Sequence, residues 1–417
     1  MAMKASHLRS AIERLAAIDR SSCSGGEHEA AEWIAAELRQ LGADAVVEKE
    51  RIHGTYWWPL GITSALGIGA AALTRRGRRL LPAALAGAAA GAVVDELSAG
   101  PRVLRRLLPK QLTANVMALA GDVGAEQAVL LVAHHDAAHT SIFFDPRIPA
   151  FIARHLPTSG GPATPPPVMA PIAVAPALVA VGALTRSRQL VRAGALICAG
   201  IIASMVEIGL RPTVPGANDN LTGVATLLGV ARALNARPVS GLRVLLVSTG
   251  AEESLMEGMR AFAARHFPGL EAAQARVLCV DSVGSPRLVL AEAEGMLWMR
   301  DYDSEFNRLV SDCARLAGVE LERGVQMRFG TDGLIALRAG FPAAMLTSVD
   351  QYGMPANYHW PTDTPENVEY ASLEDAVRLC ETVLRRLAGE PQTERARLAT
   401  SPSADDGASL KTLRGSS

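Results

Sequence analysis

The chain has 417 residues and a formal charge of −1 at neutral pH, so no basic surplus points to nucleic acid as a partner. Hydrophobic residues make up 49% and aromatics only 4%, so the apolar excess is Ala, Leu, Val and Gly, a composition suited to helices packed through small side chains. The five cysteines, Cys23, Cys198, Cys279, Cys313 and Cys380, are scattered without CxxC spacing, which argues against a disulfide scaffold and leans towards a reducing compartment.

The N-terminal MAMKASHLRSAIERL is amphipathic and lacks the apolar run of a signal peptide. Helices are expected over about 5–19 and about 26–41, the second closed by Gly42, followed by a strand over 45–52. The pattern then changes. Trp57–Leu73 is uncharged and apolar, Arg75–Arg79 reads RRGRR, and Leu80–Val94 is apolar again, a helical hairpin with a cationic tip. Strands resume at 112–119 and 128–133. A linker by composition, PTSGGPATPPP, occupies 157–167 and leads into a second hairpin. Its apolar arms are 168–184 and 193–210, joined by TRSRQLVR.

After Pro215, helices at about 223–234, 255–266, 303–317 and 373–387 alternate with strands at 243–248, 276–280 and 343–347. Such alternation predicts an α/β fold, a mostly parallel sheet sandwiched by helices. The tail from about 390 is Ser-, Ala- and charge-rich and is expected to be disordered.

Four stretches place polar chemistry after hydrophobic runs, and a fifth places it in a turn. AVLLVA ends in His134-His135-Asp136; alternation puts His134 and Asp136 on one face, where Asp136 can accept the His134 ring N–H. GANDNLTG, 216–223, holds Asp219 in a turn between two glycines, flanked by Asn218 and Asn220. RVLLVST leads to Glu252-Glu253, one able to ligate metal and the other to reach a metal-bound water. ARVLCV runs into Asp281, and AAMLTS leads to Tyr358-His359-Trp360-Pro361-Thr362-Asp363. Each has an ordinary structural reading: a buried histidine, an Asx turn, an acidic helix start, a cap, a loop histidine. Together they supply the N and O ligands that suit zinc, gathered where open α/β sheets place their sites, with a carboxylate to bridge a pair.

With these motifs, HHD, ANDNLTG, GAEE, DSVG and YHWPTDT, the sequence resembles the dinuclear zinc aminopeptidases, a family that takes in secreted bacterial leucyl aminopeptidases, glutamate carboxypeptidase II and glutaminyl cyclases. The resemblance implies the zinc-exopeptidase (phosphorylase/hydrolase-like) fold and two Zn²⁺. One would be held by His134, Asp219 and Asp281, the other by Glu253, His359 and the shared Asp219. It further implies Glu252 as general base, Tyr358 as a donor to the oxyanion, and a peptide substrate. Thr331-Asp332-Gly333 stands where the family often has Ser-Asp-His, which leaves side-chain specificity open. Aminopeptidase is the preferred activity, set against a dinuclear carboxypeptidase, dipeptidase or N-acyl amino acid deacylase, a glutaminyl-cyclase-like enzyme and a non-catalytic receptor-like relative.

The expected organisation is a catalytic domain at 1–56, 97–166 and 212–389, hairpins at 57–96 and 167–211, and a tail at 390–417. The hairpin arms are near the lower limit of about 17–25 residues for a membrane span. Membrane association is the favoured reading, against a soluble cytoplasmic chain whose hairpins form a helical or homo-oligomerising lid. Cationic tips and the basic residues Arg102, Arg105, Arg106 and Lys110 pull the topology in opposite directions.

Overall fold

Every residue of Ala128–His134 is buried, and its side chains serve two cores in alternation. Val129, Leu131 and Ala133 join one, Leu130 and Val132 the other. The computed structural model, which describes residues 5–155 and 168–390, builds a nine-stranded sheet around this strand. In chain order the strands are β1 (Asp44–Ile52), β2 (Gln111–Gly121), β3 (Ala128–His134), β4 (Arg243–Thr249), β5 (Ala275–Val280), β6 (Arg287–Glu294), β7 (Arg300–Asp301), β8 (Glu322–Met327) and β9 (Ala343–Val349). Their spatial order is β1-β2-β4-β3-β5-β9-β6-β7, with β8 also on β6. The central block β4-β3-β5-β9 is parallel, and antiparallel strands join it on both sides, β2 at β4 and β6 at β9.

Helices Ala5–Ala16, Gly25–Gln40, Thr222–Ala236, Ser304–Ala317 and Tyr370–Leu387 supply one core, and Glu257–His266 and Asp332–Arg338 help to build the other. The α/β class holds. Strands β6, β7 and β8 were not expected from the sequence: β6 ends in AEAE, β7 is two residues long, and β8 (ERGVQM) is half exposed and pairs irregularly, so none shows a clean period of two. The first helix stops at Ala16 rather than near residue 19 because the chain turns inward to bury Arg20.

The apolar stretches form two helical hairpins, Trp57–Thr74 with Leu80–Leu97 and Ala170–Thr185 with Arg188–Leu210. The four helices pack on one another as a bundle. Near the sheet, Leu60, Leu97, Ile172, Met205 and Ile208 merge with the second core; farther out, Ala70, Ala71, Ala86 and Val179 form a small core of their own. Leu66, Leu81, Val174, Val181 and Leu196 face outward and are exposed. The expected linker at 157–167 and the tail from 391 lie outside the described residues. Glu390, expected to open the tail, is instead held by Arg237 at 2.6 Å and Arg385 at 3.1 Å.

Candidate metal centre

Because β4, β3 and β5 are parallel neighbours, the loops leaving their C-terminal ends meet at one edge. His134 closes β3, Asp281 follows β5, and Glu252 and Glu253 follow β4 across a short turn. Asp219 arrives on the irregular turn Ala217–Leu221, whose Asp219–Asn220 peptide is cis, at the head of helix Thr222–Ala236. Gly223 lets that helix head approach β5 closely: a Cβ there would stand 2.5 Å from the Val280 carbonyl oxygen. His359 comes from the loop after β9.

The sequence-predicted ligands converge. His134 Nε2 lies 3.2 Å from Asp219 Oδ1 and 3.7 Å from Asp281 Oδ2. His359 Nε2 lies 3.1 Å from Asp219 Oδ2 and 3.2 Å from Glu253 Oε2. Asp219 thus presents one oxygen to each histidine. Glu252 Oε2 sits 3.9 Å from His134 Nε2. Donor atoms of His134, Asp219 and Asp281 fall within 4.8 Å of one another, as do those of Asp219, Glu253 and His359.

Four carboxylates on a buried floor repel one another, and the two imidazoles are the cations that face them. Among the described residues, no Lys or Arg forms an ion pair with these carboxylates. Burial lowers the basicity of both histidines, but the neighbouring carboxylates of Asp136 and Asp219 raise His134 well above its usual value, and Glu253 and Asp219 raise His359 to about 10. Burial pushes Asp281 up to about 7 and Glu252 well above the carboxylate range, the latter helped by repulsion from Asp332 and Glu253. Against the same burial, His134 and His359 hold Asp219 below it. Glu253 Oε1 is buried with no hydrogen-bond partner. Carboxylates so crowded, with an orphaned oxygen and two ring nitrogens pointing inward, fit divalent cations.

The supporting residues were less legible. Asp136 does lie beside His134, but the ring Nδ1 is 3.2 Å from the Asp136 carbonyl oxygen and 3.5 Å from its carboxylate. That carboxylate instead accepts the Ser22 hydroxyl at 2.6 Å and the amides of Glu252 and Glu253 at 3.0 and 3.1 Å. His135 points away, as alternation requires, and shares a hydrogen bond with Ser248; burial lowers its pKa to about 3, so it is neutral. Asp363 accepts the amides of Asn218 and Asp219 at 2.7 and 3.1 Å. Asn220 Oδ1 ties the Asp219 turn to Gly223 and Ser282.

Arg20, Glu27 and Asp363 carry roles that sequence reasoning missed. Arg20 donates to the carbonyls of His135 and Gly216, bracing two ligand loops at once. Glu27 Oε1 accepts the Ala251 amide at 2.8 Å. The only sequence signal for Glu27 was its place three residues after Ser24, a capping-box spacing, and the Ser24 side chain does accept the Glu27 amide. Asp363 was visible within the YHWPTDT motif but without a task. Ala251, Ser282 and His359 all have left-handed backbones, with φ of 48, 54 and 50°, at or beside a ligand. Each costs about 1–3 kcal/mol, a strain this bracing network must offset.

Tyr358 is half-buried, with its ring stacked on His359 at 3.9 Å. Asp332 lies behind the floor, hydrogen-bonded to Thr249.

Residues 204–384 match peptidase family M28. Over those residues the chain is similar to an M28 peptidase domain. With this donor set it is a metallopeptidase, and the matched segment contains Asp219, Glu252, Glu253, Asp281 and His359, while His134 and Asp136 precede it. No curated protein sequence matches the chain significantly. Among solved structures, the chain is similar to the glutaminyl cyclase of Tannerella forsythia (15% identity, 92% of this chain and 99% of that one, TM-score 0.56). It is similar also to the zinc aminopeptidase of Bacillus subtilis (15%, 92% and 95%, TM-score 0.54) and to an aminopeptidase from an Aneurinibacillus strain (14%, 92% and 94%, TM-score 0.52). At these identities the likeness is one of fold, and it covers 92% of this chain.

Proposed function

We propose that this M28-like domain is a two-zinc aminopeptidase that removes N-terminal residues from peptides. The observation that carries the proposal is Asp219, whose two oxygens face His134 and His359 separately at 3.2 and 3.1 Å, the arrangement of a bridging ligand. In this reading His134, Asp219 and Asp281 hold one ion, and Asp219, Glu253 and His359 the other. When bound, the ions act as Lewis acids on the scissile carbonyl and bring the pKa of water to about 7.

The protein's own contributions follow from its geometry. Glu252 also has donor atoms within 4.8 Å of those of His134 and Glu253, and the family resemblance assigns it the base's part rather than a ligand's, taking the proton of the attacking water. Water's hydroxyl joins the carbonyl carbon, the C–N bond breaks, and Glu252 returns the proton to the leaving amine, a step worth about 10²–10⁴ in rate. Asp136 fixes the Glu252 and Glu253 backbone during the transfer. Burial and the surrounding carboxylates raise the Tyr358 pKa well above the ordinary phenol value, so its hydroxyl stays protonated and able to donate to an oxyanion. Preference for free N-termini rests on the family resemblance and on the aminopeptidases among the similar folds.

The test is metal content together with turnover of aminoacyl anilides and N-blocked peptides, for the wild type and Glu252→Gln. Two zincs per chain, cleavage of free N-termini alone and loss of turnover with zinc retained support the reading. One zinc with pyroglutamate formation replaces it with the cyclase reading, which the Tannerella fold favours.

The bundle belongs to the same proposal as a membrane domain. Leu80–Leu97 and Arg188–Leu210 are long and apolar enough to cross a bilayer, and most of each apolar window faces out of the bundle. Arg75, Arg76, Arg78 and Arg79 on one tip and Arg186, Arg188 and Arg192 on the other are exposed at the end away from the sheet. At the near end, Arg102 and Arg105 are buried in ion pairs with Glu96 and Glu257, while Arg106 and Lys110 stay exposed, so two exposed cations there stand against the seven exposed arginines of the tips. The positive-inside rule then puts the tips in the cytoplasm and the M28-like domain on the other side. The cysteines do not argue against this. Cys198, Cys279, Cys313 and Cys380 are buried, and burial raises Cys380 to about 12, which leaves it inert in an oxidising compartment.

A further inference from the structure

The base of the bundle is also the wall of the metal centre. Tyr56 and Trp57, where the first apolar helix begins, line a cavity of about 170 Å³ together with Ser22, Gln111, His139 and Glu253. One wall of that cavity is therefore a ligand residue, and the opposite wall enters the bundle. Trp57 packs edge-on against His139 with centroids 4.9 Å apart, and its indole lies against Gly209, where an added Cβ would stand 3.0 Å from Nε1.

The turn after His139 continues the connection. Ser141 donates to Glu207, near the end of the last bundle helix, at 2.7 Å. Phe144, three residues on, meets the ring of His359 at 4.5 Å and that of Tyr358 at 5.8 Å. The same short turn thus touches the bundle at one end and the metal centre at the other. Between those contacts Ile142 and Phe143 point outward, 59% and 56% exposed, and Trp58 and Leu210 at the helix ends are 60% and 81% exposed. Four large apolar side chains gathered at the foot of an apolar bundle form a collar. An aqueous surface would leave that collar without a partner, whereas the headgroup boundary of a bilayer is where aromatic and aliphatic side chains of this kind settle.

We propose that the cavity beside Glu253 opens at the bilayer surface and serves the free N-termini of polypeptides that are themselves tethered to the membrane. This inference rests on the aminopeptidase and membrane readings above. The charge distribution fixes the occupant of the collar as lipid: the exposed arginine tips and the apolar collar bracket the bundle from opposite ends, as a bilayer between two headgroup layers requires. Confinement to the surface raises the effective concentration of a tethered N-terminus at the cavity without any added contact to the peptide.

The experiment uses the full chain, zinc-loaded, reconstituted in phosphatidylcholine–phosphatidylglycerol vesicles. One peptide with a free N-terminus is supplied in two forms, unmodified and bearing a palmitoylated C-terminal lysine. The expected result is a kcat/KM at least about tenfold higher for the palmitoylated form, the scale that surface confinement readily supplies. A double variant, Ile142→Ser with Phe143→Ser, is expected to lose most of that preference while cleaving the soluble peptide at the wild-type rate. Equal rates on both peptides, or cleavage of the soluble form alone, overturn the inference and leave the peptidase reading standing. Failure to cleave either peptide overturns the peptidase reading and the inference with it. A chain that stays soluble without detergent and does not bind the vesicles overturns the membrane reading on which the inference depends.

Discussion

Replacing Asp136 by Asn tests whether the metal centre is assembled through its supporting shell. The wild-type carboxylate accepts three hydrogen bonds, from Ser22 and from the amides of Glu252 and Glu253, in a fully buried position. Asn keeps the shape and one oxygen but turns an NH₂ towards a donor, so it loses at least one bond to a charged acceptor, worth about 1.5–3 kcal/mol. At about 1.36 kcal/mol per decade, Asp136→Asn is expected to lower kcat/KM by about 10–150-fold. Zinc affinity should fall by about 10–100-fold, the scale for partners of metal ligands. Zinc is titrated against a competing chelator, turnover is measured at saturating zinc, and circular dichroism verifies the fold. Ser22→Ala, which removes a single donor, should cost less, roughly 1 kcal/mol, or about fivefold in kcat/KM. A folded Asp136→Asn enzyme within about threefold of wild type on both measures, against the expected range, refutes the argument that this carboxylate holds the two glutamates in place.

Three further outcomes follow from other residues. Burial pushes Glu294 up to about 8 from its ordinary 4.5, opposed only in part by hydrogen bonds from Thr331 and Tyr302. The folded state therefore keeps a proton that the unfolded chain releases, and stability from this group falls as pH rises from about 4.5 to about 8. Glu294→Gln should flatten that slope, so its melting temperature relative to wild type rises across the window; parallel slopes would contradict this. Stripping zinc should lower the melting temperature, since a ligand at a thousandfold excess over its Kd stabilises by about 4 kcal/mol, and calorimetry with and without chelator reads the shift. Gly77→Cys, at an exposed tip, should react with an impermeant maleimide only after intact cells are permeabilised; labelling of intact cells would reverse the proposed orientation.

Most of the proposed ligands could be brought together from the sequence because they end or follow a hydrophobic run. A parallel strand bounded by a His, a Glu pair or an Asp leaves that residue at one common edge whatever the loops do, so His134, Glu252, Glu253 and Asp281 needed only strand assignment to be brought together. Asp219 was legible through its turn chemistry between two glycines. The apolar hairpins were equally plain, since composition alone marks their ends. Strands β6 to β8 were not: β6 is buried on both faces yet ends in charged AEAE, and β7 and β8 are short or half-exposed, so none carries a period of two.

Only the tertiary structure decided the bracing. Arg20, Glu27 and Asp363 act across 115 to 224 residues of separation, through backbone amides and carbonyls that any sequence possesses. Such partners leave no compositional trace, so a charged residue between two helices looks the same whether it braces a ligand loop or faces water. The same holds for Arg102 and Arg105. In sequence they read as a basic flank at the membrane. Burial against Glu96 and Glu257 removes them from that role, because a charge neutralised inside the protein exerts little pull on a membrane surface.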